Sequence, residues 1–208
     1  GVFYIYSISL FYLLLKGYLE RKLSISKVLV FAGALVFPLI LSLFQILPTL
    51  ELFSYSTRGG YTLEQIQKLL NPIWYLATLI APDFFGNPAA RNYWFDGTYI
   101  ERVSYFGLIP LIFSIFAMLC LFKKSDVKIF AAVFLSTLLL STDLLITKFF
   151  YLIPIPVIST TVPTRILSLF AFSGSVLSAF GFDLFLEKKN KKELFLISVF
   201  IFTALILL

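Results

Sequence analysis

Val28–Leu47 and Ile166–Leu186 each match the length of a helix that crosses the hydrocarbon of a bilayer, about 20 residues at about 1.5 Å per residue. The first contains no ionisable side chain and the second only Asp183, close to its end. Four further apolar runs extend the pattern: Gly1–Leu15, Tyr105–Phe122, Ile129–Thr142 (continuing through Leu144–Thr147) and Glu193 to Leu208. A fold in water would have to hide all six runs at once. The polar complement is too small for that. Of 208 residues 60% are hydrophobic and 13% charged, against roughly 45–50% and 25% in soluble domains. Seventeen basic and eleven acidic side chains cannot cover a water-soluble surface that must also accommodate 25 Phe and 11 Tyr. A globular cytosolic enzyme, a disordered tail and a nucleic-acid-binding module are excluded. The expected class is all-α, a polytopic transmembrane helix bundle with about six spans and membrane lipids as its surroundings.

Apolar runs reach both ends, so residues 1–208 are expected to be a single transmembrane region belonging to a longer chain. Residues 1–15 lack the basic start and the small-residue cleavage site of a signal peptide. Cys120 lies in an apolar run with no second cysteine to pair with, and reads as a small lipid-buried residue. With no His and no Cys pair, zinc sites and His-based triads are ruled out; no cofactor is predicted, and a divalent metal is left open.

Charge sets the expected orientation. The stretches 16–27, 123–128 and 187–193 hold 11 of the 17 basic residues and four acidic ones. The stretches 48–104 and 143–165 hold six of each sign. The excess of Lys and Arg places the first set in the cytoplasm and the second outside, in a multi-pass plasma-membrane protein, and the alternation of spans agrees at every crossing. The net charge of +6 is then a topological signal. No run has an ionisable residue at its centre, which weakens a proton-coupled transporter reading.

The polar chemistry is concentrated in the long outer loop, Pro48–Ser104, and in the second outer loop, Asp143–Arg165. Thr62 followed by Gln65 is a capping box, and Leu63, Ile66, Leu69 and Leu70 follow at helical spacing. Asn71 and Pro72 end that helix, and Pro72–Ile80 reads as a second one. Both are expected to be short amphipathic helices on the membrane surface. Gly59-Gly60 supplies the break before them. The carboxylates Glu51, Asp83, Asp96 and Glu101 are interleaved with Arg58, Arg91 and Arg102, and Arg165 stands at the outer mouth of the fifth run. Such a set reads either as solvated ion pairs or as a carboxylate base beside cationic phosphate clamps. Tyr93, Trp94 and Tyr99 read as interfacial anchors. Ala171, Ser175 and Ala179 recur every four residues, with Gly174 and Ser178 beside them, a stripe that lets two helices approach closely. Pro38 and Pro110 are expected to bend their spans.

Several segments together carry a resemblance: Gln45 to Leu52, Ser56 to Arg58, Pro82 to Pro88, Tyr93-Trp94, Tyr99 to Glu101, Tyr105 to Pro110, Val162 to Arg165, and Gly181 to Asp183. In this order and spacing they resemble the bacterial YfhO-type membrane protein family, over about Val28 to Leu186. That family is similar to integral-membrane glycosyltransferases of the GT-C class, and some members are linked to lipoteichoic acid glycosylation. The resemblance implies transfer of a sugar from a polyprenyl-phosphate donor to an envelope glycan or polymer acceptor outside the membrane. Catalytic candidates are then Glu51, Asp83 and Glu101. Substrate-binding candidates are Arg58, Asn87, Arg91, Tyr93, Trp94, Arg102, Tyr105 and Arg165. Two other readings stay open, a lipid-linked saccharide transporter or flippase and a non-catalytic envelope-assembly subunit. The clustering of carboxylates in the outer loop favours the transferase.

Overall fold

The computed structural model describes residues 2–20, 24–55, 61–95, 98–152, 161–187 and 191–207. Among them the fold is helical with no β-strand, the all-α class expected, and it divides into two compact units, Gly1–Tyr61 and Thr62–Leu208.

The first unit holds α1 (Val2–Glu20), α2 (Ile25–Leu41) and α3 (Leu43–Ser54). α1 runs past Leu15 to Glu20, and Lys16 donates to the Tyr12 hydroxyl one turn back at 2.8 Å. The stretch 16–27 thus begins inside a helix. α2 and α3 meet at a 65° bend at Ser42. The bend lies between Pro38 in α2 and Pro48 in α3. Side-chain hydroxyls bond back to carbonyls on either side of it: Ser42 Oγ donates to the Pro38 carbonyl at 2.8 Å, which also accepts from Ser42 N–H, and Thr49 Oγ1 donates to the Gln45 carbonyl at 2.7 Å. Pro110 bends nothing. It falls in the first turn of its helix, where a missing N–H has no partner to lose.

The second unit begins with α4 (Leu63–Leu69), 3-10 turns at Ile73–Leu79 and Pro88–Ala90, and α5 (Tyr99–Arg102). Then follow α6 (Leu108–Cys120), α7 (Ser125–Ser141), α8 (Leu145–Leu152), a 3-10 turn at Pro163–Ile166, α9 (Leu167–Leu186) and α10 (Lys191–Leu207). The expected second surface helix is a 3-10 segment with Pro72 as its N-cap. α7 stops at Ser141 and does not continue through Thr147. Its end is held by the loop after α4: Asn71 N–H donates to Ser141 O (2.9 Å) and Asp143 N–H to Asn71 O (2.6 Å).

Among the described residues one helical stretch, Pro163–Leu186 with 24 residues, is long and apolar enough to cross a membrane. The bent pair Val28–Leu41 and Leu43–Leu52 makes a second if it is one broken span, and Leu108–Cys120 is apolar but shorter. Helix length and composition therefore account for one or two of the six spans expected.

In the second unit α9 packs against both α6 and α7, and α10 packs against α6. Phe116 on α6, Val127 on α7 and Leu177 on α9 are fully buried, with Phe134 and Phe170 beside them at 4.3 Å between ring centroids. The contact is close-packed. Two glycines make it close. A Cβ on Gly181 would lie 2.1 Å from the Phe113 carbonyl oxygen, and one on Gly174 would meet the rings of Phe106 and Phe134 at 2.7 and 3.0 Å. Ser114 Oγ lies 2.7 Å from both the Pro110 and Gly174 carbonyl oxygens, its one proton tying α6 to α9. Of the expected small-residue stripe, Gly174 is buried in the contact, whereas Ser175 and Ala179 face outward; the second buried glycine, Gly181, lies outside the stripe as read.

Gly181→Ala drives a methyl into a carbonyl, and is expected to destabilise the unit by about 1–3 kcal/mol in reversible unfolding in detergent. Ser175→Ala, on the outward face, is expected to stay within about 0.5 kcal/mol. Equal effects from the two would put the α6–α9 contact on the wrong face.

Candidate functional site

The four-residue helix α5 gathers the polar chemistry of the second unit, because three of its side chains reach three different elements. Arg102 is 6% exposed. Its Nη2 donates to the Lys68 carbonyl at 2.6 Å and its Nη1 to the Leu70 carbonyl at 3.3 Å. These are carbonyls at the C-terminus of α4, the negative end of the helix dipole, where a cation is favoured. The guanidinium also stands over the Phe95 ring, 5.8 Å from its centroid. Asn71, itself buried, donates its side-chain amide to the Arg102 carbonyl at 2.8 Å, so α4, α5 and the end of α7 meet at one point.

Tyr99 reaches the other way. Its hydroxyl donates to Asp83 Oδ1 at 2.5 Å, and the same oxygen accepts from Asn87 Nδ2 at 3.0 Å. The turn that carries Asp83 is built by local bonds: Asn87 N–H donates to Asn92 Oδ1 (2.9 Å), and Asn87 Oδ1 caps the Pro88–Ala90 turn through Ala89 N–H (2.8 Å). Gly86 is at φ +82°, and a Cβ there would lie 2.0 Å from the Asn92 carbonyl oxygen. No other residue fits that crossing. Asp83 is exposed, and its two partners, Asn87 and Tyr99, line an open cavity of about 580 Å³ together with Pro88, Thr98 and Ile100.

Behind this carboxylate is a wall of rings. Phe85 stacks on Tyr75 with centroids 5.3 Å apart and meets Trp74, Trp94 and Phe95 within 5.8 Å. The Tyr75 and Tyr93 hydroxyls are 3.1 Å apart, and the Tyr93 ring packs on that of Tyr99. Burial first, then the bond to Tyr93, raises the Tyr75 phenol above its ordinary value. Tyr99 is pushed up from 10.0 to about 12, by burial first and then by its bond to Asp83.

Glu101 pairs with Arg165, whose Nε and Nη2 address one oxygen, Oε1, at 2.8 and 2.7 Å. Arg165 lies in the 3-10 turn that leads into α9, as its position at the mouth of that helix led us to expect. Arg91, at φ 55°, Trp94 and Tyr105 are exposed. Glu51 lies on α3 in the first unit, and Arg58 and Asp96 lie outside the described residues. Among the described residues no three His, Cys, Asp or Glu side chains are grouped to hold a metal ion. Tyr99 and Asn71 carry more of the site than their types suggest: one sits in a motif read for its acid, the other in a dipeptide read only as a helix stop.

Replacing Arg102 by Met leaves two carbonyls of α4 without their donor, and is expected to destabilise the second unit by about 2–3 kcal/mol in chemical unfolding. An unfolded tyrosine ionises at 10.0 and Tyr99 at about 12, so the stability its proton confers is complete below pH 10.0 and is lost as pH rises to about 12. Ultraviolet difference titration of wild type against Tyr99→Phe is expected to remove a phenol ionising near pH 12; loss of an ordinary one would place Tyr99 in free solvent.

Comparison of the chain with family models, with curated proteins and with solved structures finds no match.

Proposed function

We propose that this chain forms part of an integral-membrane glycosyltransferase of the GT-C kind, related to YfhO-type proteins, which moves a sugar from a polyprenyl-phosphate donor to an envelope glycan or polymer outside the plasma membrane. The observation that carries the reading is Asp83: an exposed carboxylate, held through one oxygen by Tyr99 and Asn87, both of which line an open cavity. A membrane setting is supported by the large apolar side chains left exposed on the long helices, such as Ile109, Leu139, Phe172, Phe200 and Ile206. In this reading α1, the α2–α3 pair, α6, α7, α9 and α10 are the spans. Residues 16–27, 123–128 and 187–193 are cytoplasmic, and 48–104 and 143–165 lie outside.

The reaction needs a base for the acceptor hydroxyl and a cation for the departing phosphate. Asp83 takes the acceptor proton as the acceptor oxygen bonds to the sugar's anomeric carbon. The bond from that carbon to the donor phosphate oxygen breaks, and the lipid phosphate leaves with the electron pair. Arg165 receives it. The Glu101 pair does not prevent this, because both partners are partly exposed, at 26% and 49%, and such a pair is worth at most about 1 kcal/mol. A phosphate, with more charge and more acceptors than one carboxylate oxygen, competes well for the same guanidinium. Trp94, Tyr93, Tyr105 and Arg91 are the side chains available to meet sugar and headgroup. Arg102, spent on α4, acts by holding α5.

In membranes carrying the complete protein, transfer of labelled sugar from a polyprenyl-phosphate donor is expected to fall at least about a hundredfold in Asp83→Asn at equal expression. Glu51→Gln and Glu101→Gln are expected to lose less than about tenfold. Full activity in Asp83→Asn removes this base, and no transfer by wild type removes the transferase.

A further inference from the structure

A second concavity, of about 610 Å³, is lined from α4, from Arg102 of α5 and from Asp143 just after α7. Its volume is within the range of about 300–1,000 Å³ typical of small-molecule sites. None of the chemistry proposed above uses it. Its floor is the buried Arg102, whose Nη1 and Nη2 each hold one α4 carbonyl, leaving further N–H groups of its five-donor fork. Lys68 and the Gln67 amide add donors from α4. Acceptors stand among them: Glu64 and the same Gln67 amide on α4, and Asp143, whose Oδ1 pairs with Lys148 at 2.9 Å. Phe95 and Pro72 supply an apolar face.

The mixture discriminates between ligand classes. A phosphate offers acceptors and negative charge, and would face Glu64 and Asp143. An ammonium offers donors only, and would face Arg102 and Lys68. A sugar hydroxyl both donates and accepts, and a pyranose ring adds a C–H face that lies on an aromatic ring. We propose that the cleft between α4, α5 and Asp143 binds a neutral saccharide unit, with Arg102, Gln67, Glu64 and Asp143 on its hydroxyls and Phe95 against its ring. The inference does not rest on transfer at Asp83: a glycan-binding or saccharide-moving protein would use the same cleft.

The test measures binding without a donor. The protein in nanodiscs is titrated with methyl hexopyranosides, read by saturation-transfer NMR and by the fluorescence of Trp74, whose ring lies 5.1 Å from that of Phe95. Glu64 and Gln67 are exposed residues of α4, so Glu64→Ala and Gln67→Ala leave the fold intact. Each is expected to weaken a saturable sugar affinity about tenfold, the effect of one lost hydrogen bond to a hydroxyl. Asp83→Asn is expected to leave that affinity unchanged, which separates this site from the transfer chemistry. No saturable binding of any neutral hexoside at millimolar concentration, binding unaffected by both α4 variants, or displacement of the sugar by inorganic phosphate would each overturn the proposal.

Discussion

A guanidinium buried to 6% needs acceptors, because an unpaired buried charge costs several kcal/mol. Arg102 finds them on the main chain of α4, and the consequences spread outward. α4 has seven residues, too few to be stable alone. Both its ends are closed: at the start Thr62 Oγ1 accepts from Gln65 N–H at 3.4 Å and Gln65 Oε1 from Thr62 N–H at 2.9 Å, and at the end stands Arg102. In return α4 fixes α5. Tyr99 and Glu101 are two residues apart on that single turn, so they project to different sides. One finds Asp83 and the other Arg165. The carboxylate and the ion pair inherit their positions from a contact that takes part in none of their chemistry, and the second cleft has the same contact as its floor.

The opposite anchor is the α6–α9 contact. Arg165 lies in the 3-10 turn just before α9, and that turn is itself buried at Pro163 and Thr164, with Tyr151 of α8 donating its hydroxyl to the Pro163 carbonyl at 3.3 Å. Gly181 against the Phe113 backbone and the Ser114 hydroxyl on Gly174 set how far α9 can slide along α6. They therefore set where Arg165 meets Glu101. An ion pair on loop-like segments is as precise as the rigid elements beneath it, and here the Gly181 contact is with backbone, which side-chain repacking cannot relax.

What the sequence discloses follows the range of the interaction. The capping box of α4 is local, four residues long, and the structure has it as read. The apolar runs disclose the helices but not their ends, since α7 stops where Asn71, some seventy residues earlier, takes its last carbonyl. The small-residue stripe is a closer failure. Residues 171, 175 and 179 and residues 174 and 181 both satisfy helical spacing, and only the rings of Phe106 and Phe134 and the backbone of Phe113 choose between them. For the site, residue types were legible and partners were not. Arg102 looks like a phosphate clamp until α4 is folded against it, and Glu101 meets an arginine 64 residues away.

The two clefts have no lining residue in common, but a chain of ring contacts runs from one to the other. Phe95 faces the polar cleft and packs on Tyr75 and Tyr93 at 5.1 and 5.8 Å; Tyr93 in turn packs on Tyr99, which holds Asp83. Aromatic rings have few rotamers and fill space on both faces, so a chain of them moves as a unit or not at all. A ligand pressed against Phe95 is thus two ring contacts from the phenol that orients the carboxylate. The path itself carries phenols, at Tyr93 and Tyr99, and the Arg102 guanidinium stands over Phe95, so ring position and charge both link the two clefts. On the proposed reading, a saccharide in the polar cleft would steady Tyr99 over Asp83. Such an arrangement would suit an acceptor glycan longer than one sugar, with one unit held for position and the next presented for reaction.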